Sequence, residues 1–520
     1  MPLKQIFFQK RPVRSLSGVA VVSVLTKPYP CPGKCLYCPI EKGIPKSYLS
    51  GEPAVERAKK LKYDPYLQVK KRIEVLQLNG HPTDKIELII IGASWTTYPK
   101  KYQEWFIARC LQGANDADKR GKRCRSTRMN VDISVNPRSN QRLSASLSEA
   151  QKRNETAKNR IIGISVETRP DLITVEEIKR MRQLGITRIE LGVQCLDEKI
   201  LKKNQRGHGL KKIIEATKFL KDTGFKICYH WMPGLPGSNP KKDLAMFKKL
   251  FSDSRFRPDM LKIYPCVVTR GSKLYFLWRQ KKYRPYSDKT LIELLIKMKK
   301  IVPPYVRIIR IFRDIPSPKI LGGTKISNLR QVIHKEMAKR ELKCKCIRCR
   351  EIKNSKFEIR NSKLIRREYD ASDGKEIFLS FEDKKQDKIL AFLRLRLPIP
   401  TNYEFKRITN MLSVLKNAAL IRELHTYGPL VQIGKKGKIA LQHKNLGKKL
   451  VKEAEKISKE WFRKKSDGRI GIAEMRRAKR RMWGRAIWMP KIVVISGIGV
   501  RPYWRKLGYK LKETYTVKNI

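Results

Sequence analysis

Three cysteines, Cys31, Cys35 and Cys38, carry the most specific chemical signal in this sequence. They stand in CPGKCLYCP, directly after the apolar run Val19 to Leu25, with three residues between the first pair and two between the second. Three thiolates at this spacing can ligate three irons of a 4Fe–4S cube, leaving the fourth iron for the amino and carboxylate groups of S-adenosylmethionine (SAM). Such a cluster donates one electron, cleaves SAM and makes a 5′-deoxyadenosyl radical. A zinc knuckle or a redox trio is the competing reading, but structural zinc takes four protein ligands and no neighbouring residue supplies an obvious fourth.

Radical chemistry needs a water-poor barrel, and three strand-end residues offer groups for SAM. Gly92, after KIELIII, lets backbone approach a ligand closely. Glu167, in SVETRPD, can accept hydrogen bonds from a ribose or the methionine amine, and Gln194 closes RIELGVQ. At a strand end such residues also serve as turn-stabilising polar groups. A second trio, Cys344, Cys346 and Cys349 in KCKCIRCRE, has the spacing of three ligands of a structural zinc, with His334 as one candidate for the fourth. Incidental buried thiols are the alternative. Five further cysteines of the 11 stand apart, and without a secretory signal such clusters read as metal sites rather than disulfides.

The elements that must position these groups are short β-rich runs alternating with amphipathic helices. The runs are GVAVVSVL, KIELIIIG, IIGISVET, RIELGVQ, KICYHWMPG, MLKIYP and RIIRIF. Among the helices, LKKIIEATKFLKDTGF carries a stripe of Leu210, Ile213, Ile214, Ala216, Phe219 and Leu220. The pattern predicts an α/β domain over 19–330, a partial or full parallel (β/α) barrel with its site at the C-terminal strand ends. A basic segment, 1–18, precedes it, and a linker, 331–365, holds the second cysteine trio. Over 366–520, hairpin-like strands, a helix from Leu446 and the strand KIVVISGIG predict a separate α+β domain. Stretches at about 118–147 and 463–491 read as basic insertions. In the second, Arg476, Arg477, Lys479, Arg480, Arg481 and Arg485 are interleaved with Trp483 and Trp488, which suits phosphate pairing and base stacking. A solvated basic helix is the plainer alternative.

Lys and Arg total 117 against 47 Asp and Glu, a net charge of +70. That exceeds what solubility requires and points to a nucleic-acid partner, a basic proteome or salt-adapted surface being the alternative. The apolar runs stop short of the roughly 18 residues of a membrane span, and the start lacks the apolar region of a signal peptide. A soluble cytoplasmic protein with no membrane partner is expected.

The sequence resembles the family of the Elongator catalytic subunit and its free-standing archaeal and bacterial relatives. The matching strings include SGVAVVSVLTKPYPCPGKCLYCP, YDPYLQVKKRIEVLQLNGHPTDK, GISVETRPD, TRIELGVQ, LKIYPCVVTRGSKLY, RELHTYG and VISGIGVR, in family order along nearly the whole chain outside the insertions. The resemblance implies a radical SAM barrel followed by a GNAT acetyltransferase-like domain, with a 4Fe–4S cluster, SAM and acetyl-CoA together installing a carboxymethyl group on C5 of the tRNA wobble uridine. It implies Cys31, Cys35 and Cys38 as iron ligands and Lys85 as an acetyl-CoA contact; otherwise Lys85 reads as a surface lysine before a strand. GNAT proteins bind the CoA pyrophosphate at a helix N-terminus. Here that element is QHKNLGKKL, with Leu446, Gly447 and Lys448, and the strand RELHTYG brings Glu423, Leu424, His425 and Thr426 beside the pantetheine.

Two positions depart from the family pattern. Asn445 stands at a family glycine, and asparagine tolerates the left-handed conformation better than other non-glycine residues. In the pair Tyr503 and Trp504, tryptophan replaces a second family tyrosine. Two rival readings stand beside this one: a protein-lysine acetyltransferase with tRNA or DNA as a recruiting surface, and a non-enzymatic tRNA-binding relative, to which Asn445 and Trp504 point. A homodimer is compatible with the sequence; partner subunits are not legible in it.

Overall fold

The computed structural model describes residues 17–117, 146–352, 361–398, 403–428, 445–466 and 490–520. The segment up to residue 16, nearly all of both expected insertions with Trp483 and Trp488, and residues 442–444 of the expected CoA loop lie outside the described residues.

Seven strands form one parallel sheet in chain order: β1 (Ala20–Leu25), β2 (Lys85–Ile91), β3 (Arg160–Thr168), β4 (Arg188–Gln194), β5 (Lys226–Trp231), β6 (Met260–Ile263) and β7 (Arg307–Ile311). β1 and β7 are its edges, so the barrel is partial, not closed. Parallel strands covered on both faces usually read as continuous apolar runs. These alternate instead. Val22 and Val24 of β1, Ile86 and Leu88 of β2, and Ile189 and Leu191 of β4 are buried in one core with helix residues such as Ile73, Phe106, Ile178 and Ile213. Each such side chain contributes about 1.5–3 kcal/mol on burial, enough for one face to hold the sheet. The intervening residues, Glu87, Arg188, Glu190, His230 and Lys262, line a cavity.

The helix Leu210–Asp222 buries Ile213, Ala216 and Leu220 of its apolar stripe, and also Lys218, Lys221 and Asp222. These charges meet a second sheet. Its strands are β8 (Ser362–Ala371), β9 (Gly374–Asp383), β10 (Lys388–Pro398), β11 (Ala418–Thr426), β12 (Lys491–Val494), β13 (Lys510–Lys512) and β14 (Tyr515–Asn519), in the order β8-β9-β10-β11-β12-β14-β13. β8 begins within the segment read from sequence as linker, which also holds most of the helix Leu329–Lys339. Only β11 and β12 run parallel, and β12 pairs with Ala418 to Ile421 alone. Beyond Ile421, the β11 residues Arg422 to His425 have no strand neighbour on that side among the described residues.

The two sheets join through buried charge. Arg422 donates to both oxygens of Asp259, just before β6, at 2.9 and 2.5 Å, and to Glu376 at 2.8 Å. Arg396 donates to Asp222 and, at 3.0 Å, to Glu376; Arg394 pairs with Glu423 at 2.8 Å; Lys221 lies 3.8 Å from Asp259. Burial alone would raise the Asp259 carboxyl, but Arg422, Lys221 and Arg394 hold it far below its ordinary range. Close approach also needs Gly497, where a Cβ would collide with the Ile162 carbonyl of β3.

Candidate active site

One cavity of about 1440 Å³ is lined by Cys31, Cys35 and Cys38, by the concave face of the barrel, and by the second sheet's Leu424, His425, Thr426 and Tyr503. The cysteine loop follows the C-terminal end of β1. The second sheet meets the barrel at strand starts, with Tyr427 on Arg307, the first residue of β7. The cavity thus joins both ends of the half-barrel.

At the cysteine loop, Cys35 Sγ accepts from Arg206 Nη1 at 3.1 Å. A hydrogen bond from Cys38, with Arg206 and Arg169 nearby, holds the Cys35 thiol well below its usual range despite burial. Cys31 Sγ lies 4.0 Å from Ser94 Oγ. Among the described residues, no fourth cysteine lines the cavity. Three thiols beside two buried guanidinium groups suit an anionic cluster with one open iron, and less a four-coordinate zinc.

Of the residues expected at SAM, Glu167 and Gln194 line the cavity and Gly92 does not. Gly92 is glycine for another reason: its φ is +119°, and a Cβ there would collide with Thr26 Oγ1. Glu167 accepts from the Tyr48 hydroxyl at 2.7 Å. Gln194 takes φ +73° at the end of β4, and its buried Oε1 has no hydrogen-bond partner. Deeper in the barrel, His230 Nε2 lies 3.0 Å from Glu190 and Lys262 pairs with the same carboxylate. Burial would raise the Glu190 carboxyl, but Lys262, His230 and Arg188 hold it well below its range. Glu167, Glu190 and His230 are close enough to hold a metal ion, yet the Lys262 ammonium, 3.6 Å from Glu167 and paired to Glu190, already serves both carboxylates as a counter-cation.

Lys85 opens β2 and lines the cavity rather than standing free on the surface; burial lowers its pKa. Asn445 adopts φ +61°, the left-handed conformation, immediately before the helix Leu446–Ser466. A Cβ on Gly447 would lie 3.2 Å from the Tyr503 hydroxyl and 3.7 Å from Thr426 Oγ1, so the helix start, β11 and the aromatic pair converge. Gly447, Lys448 and Tyr503 line the cavity; Leu446 is buried in the second sheet's core instead. Trp504 borders the cavity but is also core, 4% exposed and edge-on to Tyr509, which accounts for its size in place of a smaller ring. The Glu423 side chain is committed to Arg394, leaving its backbone for a ligand. The His425 ring donates to the Ser17 carbonyl at 3.0 Å and packs against Phe392 and Tyr427.

The second trio lies off the cavity. The Sγ atoms of Cys344, Cys346 and Cys349 all lie within 4.8 Å of one another, close enough for a single ion. His334 Nε2 is 3.7 Å from Cys349 Sγ. The adjoining backbone bridges the two sheets: Ile347 donates to Val306, ahead of β7, and Ile352 to Ile389 of β10.

Arg169, Arg206 and His208 at the cysteine loop, and the barrel charges Arg188, Glu190, His230 and Lys262, were not singled out from sequence. The signal for Arg188, Glu190 and Lys262 was present in the strands, where RIELGVQ and MLKIYP put charge at alternate positions of otherwise apolar runs.

The chain matches the family model of the Radical SAM superfamily over residues 29–250 and that of the Radical_SAM C-terminal domain over 258–339. It is 44% identical to the "tRNA uridine(34) acetyltransferase" of Methanocaldococcus jannaschii, over 98% of this chain and 86% of that protein. To the protein of the same name from Dehalococcoides mccartyi it is 40% identical, over 98% of this chain and 100% of that one. To Elongator complex protein 3 of Homo sapiens it is 34% identical, over 98% and 85%. The solved structure of the archaeal Methanocaldococcus infernus Elp3 with an N-terminal deletion superposes with a TM-score of 0.75 at 40% identity, covering 97% of this chain and 100% of that one.

Proposed function

This chain belongs to the family of the tRNA uridine(34) acetyltransferases and Elongator complex protein 3, and from that premise we propose that it installs a carboxymethyl group on C5 of the tRNA wobble uridine, with SAM and acetyl-CoA as co-substrates. The observation that carries this reading is the shared cavity, lined both by three thiols and by the strand and helix start expected at acetyl-CoA.

Cys31, Cys35 and Cys38 hold a 4Fe–4S cluster, which when bound supplies the electron for SAM cleavage. Gln194 Oε1, buried and unpartnered, offers an acceptor to SAM, and Glu167 a carboxylate. On the other side, the helix start at Leu446–Lys448 receives the CoA pyrophosphate through its unpaired N–H groups and dipole. The edge of β11 beyond Ile421 hydrogen-bonds the pantetheine, and the Lys85 ammonium faces the acidic co-substrate. Arg188, Lys262 and Glu190, locked to one another, keep the passage between the two ends polar without presenting an unpaired charge. The net charge of +70 suits a tRNA substrate. The second trio supplies three ligands to a structural zinc that would fix the crossing between sheets, with His334 one candidate for the fourth. A protein-lysine acetyltransferase would leave the three cavity thiols without a task.

The test is anaerobic reconstitution with iron, sulfide, SAM, acetyl-CoA and tRNA, followed by mass analysis of nucleosides. 5-Carboxymethyluridine is expected; its absence while SAM is cleaved defeats the proposal.

A further inference from the structure

Arg169 follows β3 in the string TRPD and is 6% exposed. Its Nε and Nη2 each donate to Asp171 at 3.0 Å, and Nη2 also to the Arg206 carbonyl at 2.6 Å. Nη1 is buried with no hydrogen-bond partner. An unpaired buried donor of this kind costs about 1–3 kcal/mol, more when charged, so its position calls for an acceptor. Gly33 shows where that acceptor belongs. A Cβ on Gly33 would collide with Nη1 and would lie 3.4 Å from Cys35 Sγ. Nη1 therefore rests on the cysteine loop between Cys31 and Cys35, in space that only glycine leaves open, and Arg169 as a residue borders the cavity. Arg206 also reaches this loop, with Nη1 on Cys35 Sγ and Nη2 on the Gly192 carbonyl and on His208 Nε2 at 3.1 Å.

We propose that Arg169 Nη1 donates to a sulfur of the cluster held by this loop, and that Arg169 and Arg206 together set how readily the cluster accepts its electron. The inference rests on the reading of Cys31, Cys35 and Cys38 as ligands of a 4Fe–4S cluster. Hydrogen bonds to cluster sulfurs and the local charge are levers by which a protein tunes such a cluster. Reduction adds negative charge to it, so a buried cationic donor stabilises the reduced state more than the oxidised one and raises the potential. Asp171, paired to the same guanidinium, moderates that effect. Arg169 is thus a positioning and tuning residue, one that acts on the cluster rather than on the substrate.

The experiment is a spectroscopic redox titration of the full-length, anaerobically reconstituted protein without SAM, with iron content and circular dichroism measured alongside. Arg169→Gln is expected to weaken reduced-state stabilisation about tenfold, a shift of ~59 mV to more negative potential for a one-electron couple. Asp171→Asn leaves the guanidinium less neutralised and is expected to shift the potential the opposite way. Its side chain is 24% exposed, so this arm decides even if Arg169→Gln loses its iron. Unmoved potentials with full iron content overturn the inference alone. A shift that appears only after SAM is added also overturns it, because the acceptor is then the SAM carboxylate. A wild-type chain that assembles no four-iron cluster overturns the underlying reading and this inference with it.

Discussion

The two cysteine trios have similar spacing and opposite surroundings. Cys31, Cys35 and Cys38 border a large cavity, beside the buried cations Arg169 and Arg206, and are not drawn together around one point. Cys344, Cys346 and Cys349 crowd within 4.8 Å, away from the cavity, on a segment whose backbone bonds to both sheets. A loop at a strand's C-terminal end opens its thiols to a cavity, whereas the short helix between the sheets turns them inward, where we propose that they clamp the crossing around a metal ion. Cysteine spacing alone does not separate these roles; what surrounds the thiols does.

The strongest way to break the contrast is Cys35→Ala. It is expected to abolish SAM cleavage, to the level of the iron-free protein, while leaving the melting temperature nearly unchanged; activity surviving in an iron-replete assay defeats it. Cys346→Ser should act the other way round. It is expected to remove bound zinc and lower the melting temperature by several degrees, ~1 kcal/mol corresponding to about 2–4 °C in domains of 150–250 residues, with SAM cleavage retained at low temperature. Full metal content and an unchanged melting curve would show that the trio clamps nothing. A smaller perturbation leaves both trios intact. Lys85→Gln is expected to weaken acetyl-CoA binding by about tenfold or more, as for loss of a charge-assisted hydrogen bond of ~1.5–3 kcal/mol, without changing SAM cleavage. Burial disfavours the Lys85 ammonium, so its charge is lost at lower pH than for an ordinary lysine. Acetyl-CoA affinity in the wild type should therefore decline as pH rises toward that lowered pKa, and calorimetric titration of Lys85→Gln should show a flatter profile.

Much of this architecture was legible in the sequence because each signal was local. The seven barrel strands coincide with seven apolar runs, the helix from Leu446 begins where its cap motif places it, and Asn445 takes the left-handed conformation its side chain tolerates. β8 was missed because SKLIRREYDA is a partly exposed edge strand whose alternation of charged and apolar residues gives no strong apolar run. Gly92 answers to a requirement that no local pattern carries: it accommodates Thr26, a residue 66 positions away. The arginines at the cysteine loop were illegible for a similar reason, since Arg169 and Arg206 reach Cys35 only once β3 and β4 lie side by side.

The charges between the two sheets carry a consequence for how the molecule melts. On the barrel side stand Lys221, Asp222 and Asp259; on the other, Arg394, Arg396, Arg422, Glu376 and Glu423, so the four cations and four anions balance only when the halves are together. Parting the halves would break the pairs that cross the seam but return their charges to water, so these pairs add little net stability and act instead on how the halves fit. The apolar core continues across the same seam, with Phe378, Phe392, Leu420 and Val493 of the second sheet in one cluster with Val24 and Leu88 of the barrel, so barrel and second sheet should unfold in a single cooperative transition, and either expressed alone should expose apolar surface together with a strip of unmatched charge.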